Sequence, residues 1–341
     1  ASVSGRTITV TDEVKNVRGN PAGAFTVKYY LSMDAAITTS DRLLGSRSVA
    51  GLAYKAVSSA TTTFTAPADL PPGSYFVGVV ADTQNAVGEH DEANNSAASA
   101  LAYAFKPDVV LSALSAKISS GKISISNTLR NDGVAATSGT TTVAFHLSAD
   151  SVLSTSADAL LGTRARTSAL KVGATDGSSP SFAVPSGLAP GDYFVFAVAD
   201  SKNAQAETDE SNNVGGPTAK VSIRADLSVS SLSATVAGRT LAVKDTVKNT
   251  GPLAAGSAFR VDFYLSTDST ITTADVLLGS RTISSALGYN ATNQATTTLS
   301  MPSSVAAGSY RVGAIVDGGN AILELLETNN TKASSSLTVG P

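Results

Sequence analysis

The chain repeats itself three times, and no other feature narrows its fold as far. Gly5-Arg6-Thr7-Ile8-Thr9-Val10 recurs as Gly121-Lys122-Ile123-Ser124-Ile125 and again as Gly238-Arg239-Thr240-Leu241-Ala242-Val243. Tyr30-Leu31-Ser32 answers to His146-Leu147-Ser148 and Tyr264-Leu265-Ser266, and Leu43-Leu44-Gly45 to Leu160-Leu161-Gly162 and Leu277-Leu278-Gly279. A Gly-x-Tyr follows at Tyr75, Tyr193 and Tyr310, and each copy closes on an acidic block ending in Asn-Asn. Equivalent positions lie about 115 to 118 residues apart. A domain of that length buries about two-thirds of its unfolded surface and needs no disulfide staple. The repeat predicts three domains, over residues 1–105, 106–224 and 225–341.

Within each copy the apolar period is two. In the third, Phe259, Val261, Phe263 and Leu265 point one way, as do Leu241, Val243 and Val247 on an earlier strand and Tyr310, Val312, Ala314 and Val316 on a later one. About seven short strands per copy, divided by Gly, Pro, Asn and Asp, predict an all-β fold of three tandem immunoglobulin- or fibronectin III-like antiparallel β-sandwiches. The junctions at Lys106-Pro107 and Arg224-Ala225 are too short to be flexible, so the domains are expected to form an elongated rod. The Gly-x-Tyr resembles a tyrosine corner, in which the phenol bonds backbone upstream.

Copies two and three open on Asp108-Val-Val-Leu-Ser-Ala-Leu114 and Asp226-Leu-Ser-Val-Ser-Ser-Leu232, whereas the chain opens at Ala1, level with Ala116 and Ala234. Domain one is therefore expected to lack its first strand, and something must cover the exposed edge. Two readings follow: a fragment of a longer array, or a strand lent by another chain that links subunits into a filament.

Composition excludes most chemistry. With no Cys and two His there are no disulfides, thiolate nucleophiles or three-histidine metal sites. A net charge of -3 and a pI near 5.4 argue against nucleic acid and anionic membranes. No apolar run approaches the roughly 18 residues that would span a bilayer. His90 and His146 do not recur in the sister copies, and no nucleophile-elbow spacing frames them, so the chain is expected not to be an enzyme.

Acids and amides concentrate in two loops. The terminal motif comprises Asp82, Asn85, Glu89 and Glu92, then Asp200, Asn203, Glu207 and Glu210, then Asp317, Asn320, Glu324 and Glu327, each set followed by Asn-Asn. Calcium takes six to eight oxygens of these kinds, which is one reading. Side chains holding the turns by bonding backbone N–H groups is the other. Asp34 and Asp41, with Asp150 and Asp158, and Asp268 and Asp275, form a second set; it lacks the EF-hand pattern, and caps are expected there.

The opening Asp-Leu-x-Val, the Val-Lys-Asn-x-Gly after the second strand, Tyr-Leu-Ser-x-Asp, Gly-x-Tyr and the terminal acidic motif together resemble the bacterial cell-adhesion-related domain, CARDB. The resemblance covers the whole chain in three copies. It implies Ig-like sandwiches of exported proteins, an extracellular or cell-surface location, and a role in adhesion or display. Asn16-Val17-Arg18-Gly19 carries one residue more than Asn249-Thr250-Gly251, and copy two has one extra residue between Asp150 and Asp158. The expected function is a non-enzymatic, secreted structural or adhesive repeat protein of the bacterial surface. Its partners would be other copies of itself, neighbouring domains of a longer chain, or a surface protein or glycan. The alternatives are a subunit of a homopolymeric filament and the accessory region of a secreted hydrolase.

Overall fold

A computed structural model describes residues 1–256 and 258–340. Domain one is built from β1 (Ser2–Ser4), β2 (Thr7–Lys15), β3 (Phe25–Ser32), β4 (Arg42–Val49), β5 (Val57–Thr65), β6 (Gly73–Ala81), β7 (Ser96–Ala98) and β8 (Tyr103–Phe105). Domain two follows with β9 (Val109–Ser119), β10 (Lys122–Asn131), β11 (Thr141–Ser148), β12 (Ala159–Arg166), β13 (Thr175–Ser178), β14 (Ser181–Ala183), β15 (Gly191–Val198), β16 (Val214–Gly215) and β17 (Val221–Ile223). Domain three uses β18 (Leu227–Ala237), β19 (Thr240–Asn249), β20 (Phe259–Ser266), β21 (Val276–Ile283), β22 (Thr292–Ser300), β23 (Gly308–Val316) and β24 (Thr331–Val339). No α-helix occurs among the described residues, so no helix is long and apolar enough to cross a membrane.

Domain three shows the plan most simply. One sheet runs β18-β19-β22 and the other β21-β20-β23-β24, all antiparallel. The alternating residues expected to face inward do so: Leu241, Val243, Val247, Phe259, Val261, Phe263, Leu265, Val312, Ala314 and Val316 are buried in one cluster between the sheets. Domains one and two repeat the order, with the last strand split into β7 and β8 or β16 and β17.

Two recurrent motifs acquire physical reasons. Leu-Leu-Gly lies where the register of the β3–β4, β11–β12 and β20–β21 pairs shifts by a residue. Its glycine leaves room for a ring from the facing sheet: a Cβ on Gly45 would stand 2.6 Å from Phe64, and one on Gly162 2.5 Å from Phe182. The tyrosine corner is present three times, with Tyr75, Tyr193 and Tyr310 donating to the carbonyls of Pro71, Ala189 and Ala306 at 3.0, 2.7 and 3.2 Å.

Periodicity did not foresee one core feature. Asp12 and Asp245 sit on the inward face of their strands, where the alternation expects an apolar residue, and both are buried. Each is neutralised across the sandwich by an arginine of the other sheet, Arg47 or Arg281, which binds both carboxylate oxygens. In domain two Asn127 takes that place, and the acid moves to Asp176 on β13, where Arg164 meets it. The charge is kept while its strand changes.

Two expectations are revised. The first strand of domain one is shortened to β1 rather than missing, and pairs Ser2–Ser4 with Thr7–Thr9. The Asn16 turn carries no insertion: Asn16 Nδ2 bonds the carbonyl four residues on, at Asn20, as Asn131 does at Ala135 and Asn249 at Leu253. The glycine has been displaced, and Arg18 stands where the sisters have Gly133 and Gly251.

Candidate functional site

The terminal acidic motif forms the same loop in all three domains, and its local geometry comes from its first two members. Asp82, Asp200 and Asp317 adopt φ of 45, 39 and 50°, and Asn85, Asn203 and Asn320 adopt 54, 50 and 49°. Asn and Asp tolerate this left-handed region better than other side chains that carry a Cβ. The Asp carboxylates then accept from backbone N–H groups four or five residues ahead: Ala86 and Val87, Gln205, and Ala321 and Ile322. Glu92, Glu210 and Glu327 accept from the N–H of Glu89, Glu207 and Glu324 at 2.9, 2.9 and 3.1 Å.

The central glutamate reaches out of the loop. In domain two Glu207 Oε2 accepts the N–H of Val109, the first residue of the leading strand, at 3.1 Å. Glu324 takes the N–H of Leu227 in the same way. Around this bond lies a small latch. Asn212 and Asn329 donate to Asp108 and Asp226, both at 2.9 Å. The N–H of Thr208 donates to Pro107 and that of Leu325 to Ala225, at 2.9 and 2.8 Å. From the opposite side Asn131 Oδ1 accepts from Asp108 N–H at 3.1 Å, and Asn249 Oδ1 from Asp226 N–H at 2.9 Å. Thus the motif grips the residues with which the repeat begins, about 100 residues away in sequence.

Burial pushes the Glu207 and Glu324 carboxyls up to about 7, although their backbone N–H bonds pull the other way. The last Asn of each motif shares that carboxylate. Asn330 donates to Glu324 at 3.1 Å, and Asn213, with its amide nitrogen turned toward the carboxylate, to Glu207 at 2.9 Å and the Val109 carbonyl at 2.8 Å.

The motif is thus engaged mainly with N–H donors of the chain itself, and among the described residues no group of three His, Cys, Asp or Glu side chains converges as a metal cage. The second acidic set behaves as caps. Asp34, Asp150 and Asp268 accept from Ala36, Val152 and Thr270 N–H, and Asp41, Asp158 and Asp275 from Thr38, Ser154 and Thr272 N–H. His146 is buried in place of a tyrosine, and its burial holds the imidazole below its usual value.

Carbonyls of both junctions accept hydrogen bonds. Lys106 O accepts from Val134 and Ala135, and Arg224 O from Leu253. Glycine is required beside them, because a Cβ on Gly133 would lie 2.4 Å from Pro107 C and one on Gly251 2.4 Å from Ala225 C. Across the first junction Ala136 N–H bonds Leu70 O at 2.8 Å and Val172 N–H bonds Ala68 O at 3.0 Å. At the second, the Tyr289 ring rests on Gly121.

These observations define a tandem array of Ig-like β-sandwiches, each built with an acidic loop that in domains two and three latches the leading strand. The CARDB family profile matches residues 1–99, 106–216 and 224–334, and the chain belongs to this family as three tandem repeats. No curated protein sequence matches it. Among solved structures, a CARDB domain from Pyrococcus furiosus in complex with di-metal ions is 23% identical over 34% of this chain and 88% of its own, with a TM-score of 0.26. A tetra-tandem repeat from the extending region of a large adhesion protein is 14% identical over 99% of this chain and 74% of its own, with a TM-score of 0.36.

Proposed function

We propose that this structural repeat protein is a non-enzymatic spacer of the extracellular bacterial surface, holding adhesive or display elements away from the cell. The carrying observation is the junction. The chain passes from the last strand of one domain to the first of the next through carbonyls at Lys106, Pro107, Arg224 and Ala225, all hydrogen-bonded to the following domain. Bonded linkers spend little of their conformational freedom on bending, which suits a spacer. A Cys-free fold that closes without oxidants suits export.

Small-angle scattering of the chain tests the spacer. A maximum dimension unchanged between low and high salt supports it, and a broad, salt-dependent distribution overturns it. Antibody labelling of intact cells of the source organism tests location: labelling without permeabilisation is expected, and labelling only after lysis overturns a surface role.

A further inference from the structure

The two junctions are unequal. Ahead of its tyrosine corner each domain turns through an equivalent loop, residues 66–70 in domain one and 184–188 in domain two, of the same length. Domain two bonds the first of these loops directly. Ala136 N–H meets the carbonyl of Leu70 at 2.8 Å, and Val172 N–H that of Ala68 at 3.0 Å. Ala135 is fully buried as a member of domain one's own core cluster, together with Leu70 and Phe105, and Val134 packs against it. Ala136 is only 4% exposed.

Domain three treats the second loop differently. Asn131 and Asn249 anchor their turns alike, through the carbonyls of Ala135 and Leu253, so Leu253 is the counterpart of Ala135 and Ala254 that of Ala136. The same asparagines bond Leu170 and Leu287, which makes Tyr289 the counterpart of Val172. Among the described residues no main-chain bond joins the 184–188 loop to domain three. Ala254 is exposed, and Leu188 and Leu253 are half-buried. Side-chain size gives the reason. An alanine methyl lets the turn of domain two sink into the end of the neighbouring core until its N–H groups reach carbonyls. At the second junction the larger Leu253 packs on the core of domain two, and the Tyr289 ring lies over Gly121. In a close-packed interior those groups take up the depth that the backbone would need.

We propose that domain two is the stopper of domain one. The turn at Ala135 and Ala136, with Val172, seals the 66–70 end of the first sandwich, and the first two repeats therefore stabilise each other far more than the second and third do. In tandem arrays stability is the sum of each repeat's own share and its interfaces with its neighbours, and here the two interface terms differ. Mutual support of this kind goes beyond the spacer reading and holds wherever the protein resides.

Hydrogen exchange on the whole 341-residue chain tests it. In the parent, read residue by residue by NMR, the amides of Ala136 and Val172 are expected to exchange at least about a hundredfold more slowly than those of Ala254 and Tyr289. Ala136→Asp places a carboxylate without a partner in the first interface, and it should speed exchange of the slowest amides in β3 and β6 of domain one about tenfold or more. That loosening should appear whether or not domain two survives the substitution, since either event removes the stopper. Ala254→Asp, at an exposed position, should leave the slowest amides in β11 and β15 of domain two within about twofold of the parent. Equal exchange at the two pairs of junction amides overturns the proposal. So does a domain one that keeps its protection in Ala136→Asp, and so does a domain two that loosens as much in Ala254→Asp.

Discussion

Domains one and three share nearly everything a β-sandwich needs. Both bury an Asp–Arg pair between the sheets, both close a tyrosine corner, and both fold the acidic loop through left-handed Asp and Asn. They differ in whether that loop holds a strand. In domain three Glu324 is buried against Leu227, whereas in domain one Glu89 is exposed and only partly desolvated. The Asp and Asn of the motif shape the loop from within, and in domains two and three its Glu receives the N–H of the leading strand.

The largest effects should fall where the domains agree. Asp245→Ala leaves the largely buried Arg281 guanidinium uncompensated, and breaking a buried pair costs about 3–5 kcal/mol. Asp12→Ala in domain one should cost the same, and hydrogen exchange by mass spectrometry reads each domain in the intact chain. A difference of more than about 2 kcal/mol between the two would break that equivalence.

The latch should then separate them. Glu324→Ala orphans the buried Leu227 N–H and should destabilise domain three by about 1–3 kcal/mol. Glu89→Ala should change domain one by less than about 0.5 kcal/mol, as at an ordinary surface position. Equal losses would show that the loop works without the strand.

Proton linkage sharpens the same contrast. Glu207 and Glu324 have folded-state values near 7 against an ordinary carboxylate value of 4.5, so between these limits the native state binds more protons than the unfolded chain. Their contribution is favourable below about pH 4.5 and declines as pH rises to about 7. The midpoints of domains two and three should fall across that window more than that of domain one, and Glu207→Gln with Glu324→Gln should flatten the profile. A profile unchanged by both substitutions would remove the glutamates as its source.

The smallest expected effect is that of a chelator. With the loop carboxylates bonded largely to the chain's own N–H groups, EDTA should leave every midpoint within about 1 °C, since a ligand that is not bound adds no stability. A drop of several degrees on chelation would instead restore calcium as the reason for the motif.

Much of this was legible in the residues. Period-two alternation in Phe259–Leu265 and Tyr310–Val316 placed the core, because a strand exposes its faces alternately whatever it pairs with. Gly-x-Tyr announced its corner, since the phenol reaches a carbonyl only four residues back. The caps at Asp34 and Asp41 were legible for the same reason of proximity. The buried Asp245 was not, because its partner Arg281 lies 36 residues away on the opposite sheet and nothing local marks the pair. Nor was the latch, whose two halves are 97 residues apart in domain three. A usable sign did exist: the acidic motif and the leading Asp recur together in copies two and three.

By itself the sequence determined three repeats and their antiparallel strands, since these follow from a short period or from a repeat that compares the chain with itself. Only the tertiary structure decided what the acids are for. A carboxylate's role depends on which donor is brought to it and how dry the meeting place is. At Glu207 and Glu324 folding delivers a backbone N–H from the far end of the domain into a buried site.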